Sequence, residues 1–341
     1  MIENDVIRSK LISSEELSGF GDTDSLASKT GSLLKQQIAT WQLCSKNYSD
    51  LKNVEVKQFD FDDFSIKVQF NPGRIVSSSA KVDSKSIKER KCFLCPQNLP
   101  REQKGLLFGG EYFVLVNPFP IFPEHFTLPK FDHLPQNIIE NFNMMLQFAR
   151  GFDGHYTVFY NGPKCGASAP DHMHFQAGNH GFMPVDTEYD DIVKKFGNPA
   201  LEENDVRIYT VTEYLRNFIS IEGESPERMQ VAFEKFYSVY EKLSQGDEPM
   251  MNIIASYRNG TWRVLIFPRQ KHRPEQYFRE DERRILLSPA AVDLGGVCIT
   301  PREEDFRKIN QDDITDIYRQ VSANKEYILF FKKELQKEAG V

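Results

Sequence analysis

Two pairs of apolar runs in this chain are joined by connections too short to cross a sheet. Asn252 to Tyr257 and Trp262 to Phe267 flank Asn259-Gly260, the pair preferred at the centre of a type I′ turn. Tyr112 to Val116 is separated from Ile121 to Leu128 by only four residues. A parallel pairing needs a crossover of roughly a dozen residues or more, usually a helix. Both pairs must therefore run antiparallel. The fold class expected is α+β, with antiparallel sheets and flanking helices rather than a doubly wound parallel sheet.

The rest of the chain fits that frame. Phe59, Phe61, Phe64, Ile66, Val68 and Phe70 alternate as strands between Val54 and Phe70. Ile138, Ile139, Phe142, Met145 and Leu146 keep one helical face from Pro135 to Phe148, and a strand from Tyr156 to Tyr160 follows. Leu33 to Leu43 reads as an amphipathic helix in a polar N-terminal segment, and the polar run Ser77 to Arg90 as a mobile loop. The acidic stretch Asp186 to Asp191 and the turn Gly197-Asn198-Pro199 mark a boundary. Beyond it, Ser225 caps a helix with Pro226 at its first position and Met229, Ala232, Phe233, Phe236, Tyr240 and Leu243 as its stripe, ended by Gly246. Asp312 to Leu335 reads as a closing helix. The expected division is an N-terminal attachment at 1–53, a first half at 54–195, and a second half at 196–341 that echoes the helix and strands of the first.

The stretch Tyr160-Asn161-Gly162-Pro163-Lys164-Cys165-Gly166-Ala167-Ser168-Ala169-Pro170-Asp171-His172-Met173-His174-Phe175-Gln176 carries the chemistry. On a strand, alternate residues share a face, so His172, His174 and Gln176 would converge while Met173 and Phe175 pack behind them. The small residues Gly162, Gly166, Ala167 and Ser168 let backbone N–H groups approach an anionic oxygen. An isolated His-x-His is as readily a polar patch or a pair of metal ligands. The loop ahead of it favours a phosphate site with a nucleophile beside it.

Of the five cysteines (Cys44, Cys92, Cys95, Cys165, Cys298), only Cys92 and Cys95 are spaced to act together. A Cys-x-x-Cys can ligate zinc, form a redox pair or be coincidence. Here Pro96-Gln97-Asn98 follows as a knuckle-like loop rather than a helix start, which favours zinc, with His125, His133 and His172 as nearby candidates for the remaining positions. An odd cysteine count in a long chain argues against a disulfide framework.

A net charge of −7 without a long basic tract argues against a general nucleic-acid binder. No apolar run approaches the roughly 18 residues of a spanning helix, and the start lacks the features of a signal peptide. A cytoplasmic protein without a membrane partner is expected.

The motif resembles the histidine-triad superfamily, in particular the branch holding galactose-1-phosphate uridylyltransferase, the dinucleoside polyphosphate phosphorylases and GDP-galactose phosphorylase. In that branch glutamine replaces the third histidine, as at Gln176, and the second histidine becomes covalently nucleotidylated. The resemblance implies that His174 is the nucleophile, that Gln176 binds the phosphoryl oxygen, and that Ser168 with the amides of Gly166 and Ala167 holds the others. Cys-Phe-Leu-Cys-Pro-Gln-Asn resembles the Cys-Tyr-Leu-Cys-Pro-Gly-Asn segment of the uridylyltransferases. By that likeness a structural zinc (Zn2+) takes Cys92, Cys95, His133 and His172, with His125 the alternative to His133.

Asn71-Pro72-Gly73-Arg74 is similar to a nucleotide-binding segment of those enzymes that can lie across a homodimer interface. Asn161, Gly162, Lys164, Arg269 and Lys271 complete the candidate substrate contacts. The resemblance covers mainly Phe70 to Gln176, with a weaker likeness from Met251 to Pro274. Ala169-Pro170-Asp171 makes the loop one residue longer than the uridylyltransferase version, which brings it closer to the phosphorylases. The expected enzyme is a nucleotidyltransferase or phosphorylase acting on a nucleoside diphosphate compound, with phosphate or a sugar phosphate as acceptor. A catalytically idle nucleotide-binding protein stabilised by zinc is the alternative.

Overall fold

The computed structural model describes residues 5–75, 84–203, 205–243 and 248–339. Among these, ten strands form one sheet in the order β3-β4-β5-β7-β6-β11-β12-β10-β9-β8. Its first half comprises β3 (Gly105–Phe108), β4 (Tyr112–Val116), β5 (His125–Pro129), β6 (Tyr156–Asn161) and β7 (His174–Asn179). Its second comprises β8 (Gly197–Glu203), β9 (Val206–Val211), β10 (Phe218–Gly223), β11 (Met251–Arg258) and β12 (Thr261–Pro268).

Counted inward from each edge, the two halves repeat one topology: three meandering strands, then a hairpin inserted with its second strand outermost. In each half a helix, Phe142–Phe152 or Pro226–Leu243, connects the third strand to the fourth. The halves meet at the sheet's centre, where β6 pairs antiparallel with β11 through Asn161↔Asn252 to Val158↔Ala255. The antiparallel expectation holds throughout this sheet.

A smaller sheet joins β1 (Glu55–Phe61), β2 (Phe64–Phe70) and β13 (Val297–Thr300), the last pairing parallel to β2. That parallel pair is reached from far along the chain, so the short-connection argument does not apply to it.

Alternation along the strands separates two apolar layers. Val158, Tyr160, Ile253, Ala255, Phe175 and Ala177 enter one core with the helices, while Phe159, Ile254, Leu265 and Phe267 enter the other. Asn259 and Gly260 both have positive φ, 51° and 84°, as a type I′ turn demands.

Several boundaries differ from expectation. Gly197-Asn198-Pro199 opens an edge strand instead of a free turn, because the preceding acidic stretch is absorbed into helix Pro184–Phe196. The helix expected from Pro135 starts at Phe142. The closing helix breaks into Gln311–Val321 and Lys325–Ala339. Within the run read as a mobile loop, Ser84–Glu89 is helical, while 76–83 and Gly246 lie outside the described residues.

The N-terminal segment is part of the main core. Helix Leu26–Thr40 is closed at its start by a Ser25–Ser28 capping box, and Leu33, Leu34, Trp41, Cys44 and Tyr48 pack with the sheet. No helix of the described residues is long and apolar enough to cross a membrane.

Candidate active site

β7 begins at His174, so the motif divides its labour at that point. His172 lies just before the strand, and its Nε2 is 2.8 Å from the Lys130 carbonyl. A carbonyl only accepts, so Nε2 carries the proton and Nδ1 keeps a lone pair, facing Cys92 Sγ at 3.3 Å and Cys95 Sγ at 3.6 Å. His133 Nδ1 is 3.2 Å from Cys95 Sγ. Ligand atoms of Cys92, Cys95, His133 and His172 all lie within 4.8 Å of one another. Tetrahedral zinc with bonds of about 2.0–2.3 Å spaces its donors by roughly 3.3–3.8 Å. The three Cys–His contacts, at 3.2, 3.3 and 3.6 Å, are close to that spacing, and the donor set fits zinc in chemistry. Asp171 stands behind it, 3.5 Å from His133 Nε2 and 2.8 Å from Arg90.

His125 is placed elsewhere. Its Nδ1 accepts the Ile121 N–H at 3.1 Å, so Nε2 is protonated and donates to Gln176 Oε1, also at 3.1 Å. Burial, with Arg74 adding to it, lowers its pKa to about 3, which keeps the ring neutral. The contact fixes which end of the Gln176 carboxamide is which, and leaves the NH2 end as a hydrogen-bond donor. The orienting role of His125 was not legible in the sequence, because it lies 51 positions from Gln176 and the β5–β7 pairing brings the two together.

His174 is buried, its backbone N–H donates to Gln136 Oε1 at 2.8 Å, and its Nδ1 is 2.7 Å from the His172 carbonyl. The same reasoning gives an Nδ1–H tautomer with the lone pair on Nε2. Desolvation lowers its pKa to about 4, against the opposing pull of the His172 carbonyl.

His174 and Gln176 line one cavity of about 700 Å³ with Asn161, Gly166, Ala167 and Ser168. Gly166 holds φ +99°, and a Cβ there would come within 2.6 Å of Ala290 Cβ, so the loop's close approach to the second half requires glycine. Asn161 Oδ1 accepts from Asn252 Nδ2 and the Ala291 N–H, each at 2.8 Å, which ties the loop to both neighbours.

Arg74 also lines this cavity, in its own chain, with one nitrogen on the Phe119 carbonyl at 2.7 Å. Asn71 supports it by bonding the Pro120 carbonyl. Gly162, Lys164 and Lys271 are not among the cavity's lining residues. Gly162 instead packs where a Cβ would meet the Met251 carbonyl at 2.7 Å.

The expected substrate contact at Arg269 is corrected. Its five N–H donors are committed to Val321 O, Asn252 Oδ1, Pro289 O, Lys271 O and His272 O. It braces the loop from behind. The neighbours His272 and Arg273, with Ser288, line the cavity in place of the expected pair. Arg273 Nε donates to Ser288 Oγ at 3.0 Å, and burial, with Arg273 beside it, lowers His272 to about 4. Density of charge pointed to the right segment, but the direction of each side chain out of β12 could not be read from it.

Arg269→Met should therefore destabilise the fold by on the order of 3–5 kcal/mol, since it strands buried acceptors. Denaturant unfolding measures this. A stable variant with a raised KM would return Arg269 to the substrate.

Comparison with known proteins agrees with the geometry. Residues 33–179 match a family model described as a domain of unknown function (DUF4922), and residues 187–338 match one described as GDPGP1-like, C-terminal domain. Galactose-1-phosphate uridylyltransferase of Bacillus subtilis (strain 168) is 24% identical over 202 residues, 54% of this chain and 37% of that protein's length. Yeast Ap4A phosphorylase Apa2 superposes with a TM-score of 0.54 at 18% identity, covering 85% of this chain and 94% of that one. The same protein in complex with Ap4A gives a TM-score of 0.53 at 16% identity, covering 85% and 97%. At these identities the structural likeness is one of fold.

Proposed function

We propose that the chain is a nucleotidyltransferase or phosphorylase of the histidine-triad branch that holds the uridylyltransferases and Ap4A phosphorylases, working through a covalent nucleotidyl-histidine. The GDPGP1-like match, the uridylyltransferase relative and the fold shared with Ap4A phosphorylase support the reading. The observation that carries this is the His174 tautomer. With Nδ1–H held by the His172 carbonyl, Nε2 has its lone pair at the wall of a cavity that also presents Ser168 and Gln176.

In the first step the Nε2 lone pair attacks the α-phosphorus of a nucleoside diphosphate compound. A P–N bond forms and the P–O bond to the departing phosphate group breaks. In the second, an oxygen of inorganic phosphate or a sugar phosphate attacks the same phosphorus and the P–N bond breaks. Free Nε2 is restored.

Gln176 donates to a phosphoryl oxygen in both steps, held in register by His125. Ser168 and the amides of Gly166 and Ala167 take the other oxygens. Arg74, His272 and Arg273 serve the remaining phosphates and the acceptor. Cys92, Cys95, His133 and His172 would hold a zinc ion whose contribution is structural, fixing the segment that carries the His172 carbonyl.

The test is turnover of a panel of adenine, guanine and uracil nucleoside diphosphate compounds, dinucleoside polyphosphates and sugar nucleotides included, with phosphate as acceptor. Release of a nucleoside diphosphate with ping-pong kinetics is expected. Intact nucleotides across the whole panel would overturn the proposal. Gln176→Ala should slow both half-reactions roughly a hundredfold or more, the usual cost of one preorganised oxyanion donor. Single-turnover measurements on each half separate them.

A further inference from the structure

The cavity that His174 lines also has apolar residues in its wall, some of them from the N-terminal segment. Trp41 and Leu43 line it together with Phe93, Leu94 and Leu99. Trp41 is buried at the break between helices Leu26–Thr40 and Gln42–Asp50, where extended backbone (φ −123°, ψ 103°) turns the chain toward the cavity. Leu43 and Phe93 remain 41% and 47% exposed. Two large apolar side chains 50 positions apart in the sequence thus lie on one cavity, each with surface still in contact with water.

The segment is fastened to the loop at the cavity's rim. Asn47 Nδ2 donates to the Pro118 carbonyl at 2.6 Å, and the Tyr48 hydroxyl donates to the His125 carbonyl at 2.9 Å. Gln37 bonds Glu102 O and the Lys104 N–H, at 3.1 Å each, on the neighbouring loop. That rim loop also supplies Phe119, which holds Arg74, and leads directly into His125 at the start of β5, which orients Gln176.

We infer that the N-terminal segment completes the binding site, with Trp41 and Leu43 forming one wall of the pocket for the nucleobase of the transferred nucleotidyl group. A planar base is the group of a nucleotide that gains most from covering exposed apolar side chains, and these side chains line the same cavity as Ser168, His174 and Gln176, where the phosphates of that nucleotide would be anchored. Leu43 is a specificity-determining residue, and the segment carrying it is a working part of the enzyme. This inference rests on the nucleotidyl-transfer reading of the cavity.

The experiment compares nucleoside monophosphates (AMP, GMP, UMP) with ribose 5-phosphate, by calorimetric titration of the full chain and of Leu43→Asn. Leu43 is partly exposed in the first turn of its helix, where asparagine is well tolerated, so the fold should survive. Losing the apolar cover should weaken the best-bound nucleoside monophosphate about tenfold. Ribose 5-phosphate should bind as before.

A second measurement does not perturb the pocket. The chain has two tryptophans, and Trp262→Phe leaves Trp41 as the sole tryptophan, excited selectively at the red edge of its absorption. Its fluorescence should respond to a nucleoside monophosphate and not to ribose 5-phosphate. Equal or absent losses in Leu43→Asn, or a silent Trp41, would overturn the inference while labelling of His174 still stood. Wild-type protein that binds no nucleotide would overturn both readings together.

Discussion

Incubated with a nucleotide substrate labelled at its α-phosphorus and no acceptor, the protein should retain label in an acid-labile, base-stable bond, and His174→Gly should abolish it. A bond from imidazole nitrogen to phosphorus has that stability pattern, whereas a phosphoester on Ser168 does not. The expected loss is on the order of a millionfold, down to background, as when a nucleophile is removed from a preorganised site.

Geometry also separates His174 from the other histidines on the same stretch of sheet. His172 spends Nε2–H on the Lys130 carbonyl and turns Nδ1 to the cysteines. His125 spends both ring nitrogens on Ile121 and Gln176. Only for His174 among these three does the bonding leave a lone pair at the cavity wall. Glycine removes the imidazole without adding a group that could clash, so folded His174→Gly should still bind nucleotide. Full turnover by that variant would end the covalent mechanism and direct attention to an activated water.

What could be read in advance was whatever is encoded locally. The Asn259-Gly260 turn sets its hairpin by backbone preference alone, and alternation places Met173 and Phe175 in the core behind His174. The Cys92–Cys95 spacing and the motif at 166–176 are likewise short-range patterns. The rest depended on contacts between distant segments. Strand β8 looked like a turn because Gly197 and Pro199 are poor strand residues, yet it pairs as an edge, where such residues are tolerated.

Arg269 looked like a ligand because its charge density is visible in sequence, while the five carbonyl and amide oxygens that consume it come from four separate stretches. The duplicated topology was equally obscured. β12 occupies in its half the position of β7 but reads Thr-Trp-Arg-Val-Leu-Ile-Phe-Pro, so the echo survives in strand order and not in chemistry. The second half keeps its part in the cavity through the loops beyond that strand, at His272, Arg273, Ser288 and Ala290.

Replacing Cys92 by serine should show what the cluster of Cys92, Cys95, His133 and His172 is for. Purified wild-type protein should contain about one zinc per chain, as four ligands imply, and Cys92→Ser should lose most of it. Removing one donor from a closed site leaves a buried lone pair on His172 Nδ1 and a buried Cys95 thiol without their common partner. A cost on the order of 3–5 kcal/mol is expected, by comparison with breaking other buried charge pairs. For an unfolding unit of about 150–250 residues that is a drop in Tm of roughly 6–20 °C.

The effect on catalysis should have a definite shape. The cluster joins the 92–95 loop, the segment after β5 and the residue whose carbonyl holds His174 Nδ1, so its loss should loosen His174. Trp41 and Leu43, on the N-terminal side of the proposed nucleobase pocket, lie outside the cluster, whereas Phe93 and Leu94 sit on its 92–95 loop. The labelling rate should therefore fall by more than the preference among nucleotides changes. A chelator-treated wild-type protein should reproduce both effects, and added zinc should reverse them in wild type but not in Cys92→Ser. Protein that is metal-free as purified, with an unchanged Tm and labelling rate in Cys92→Ser, would remove zinc from this site and leave the four residues as a hydrogen-bonded cluster.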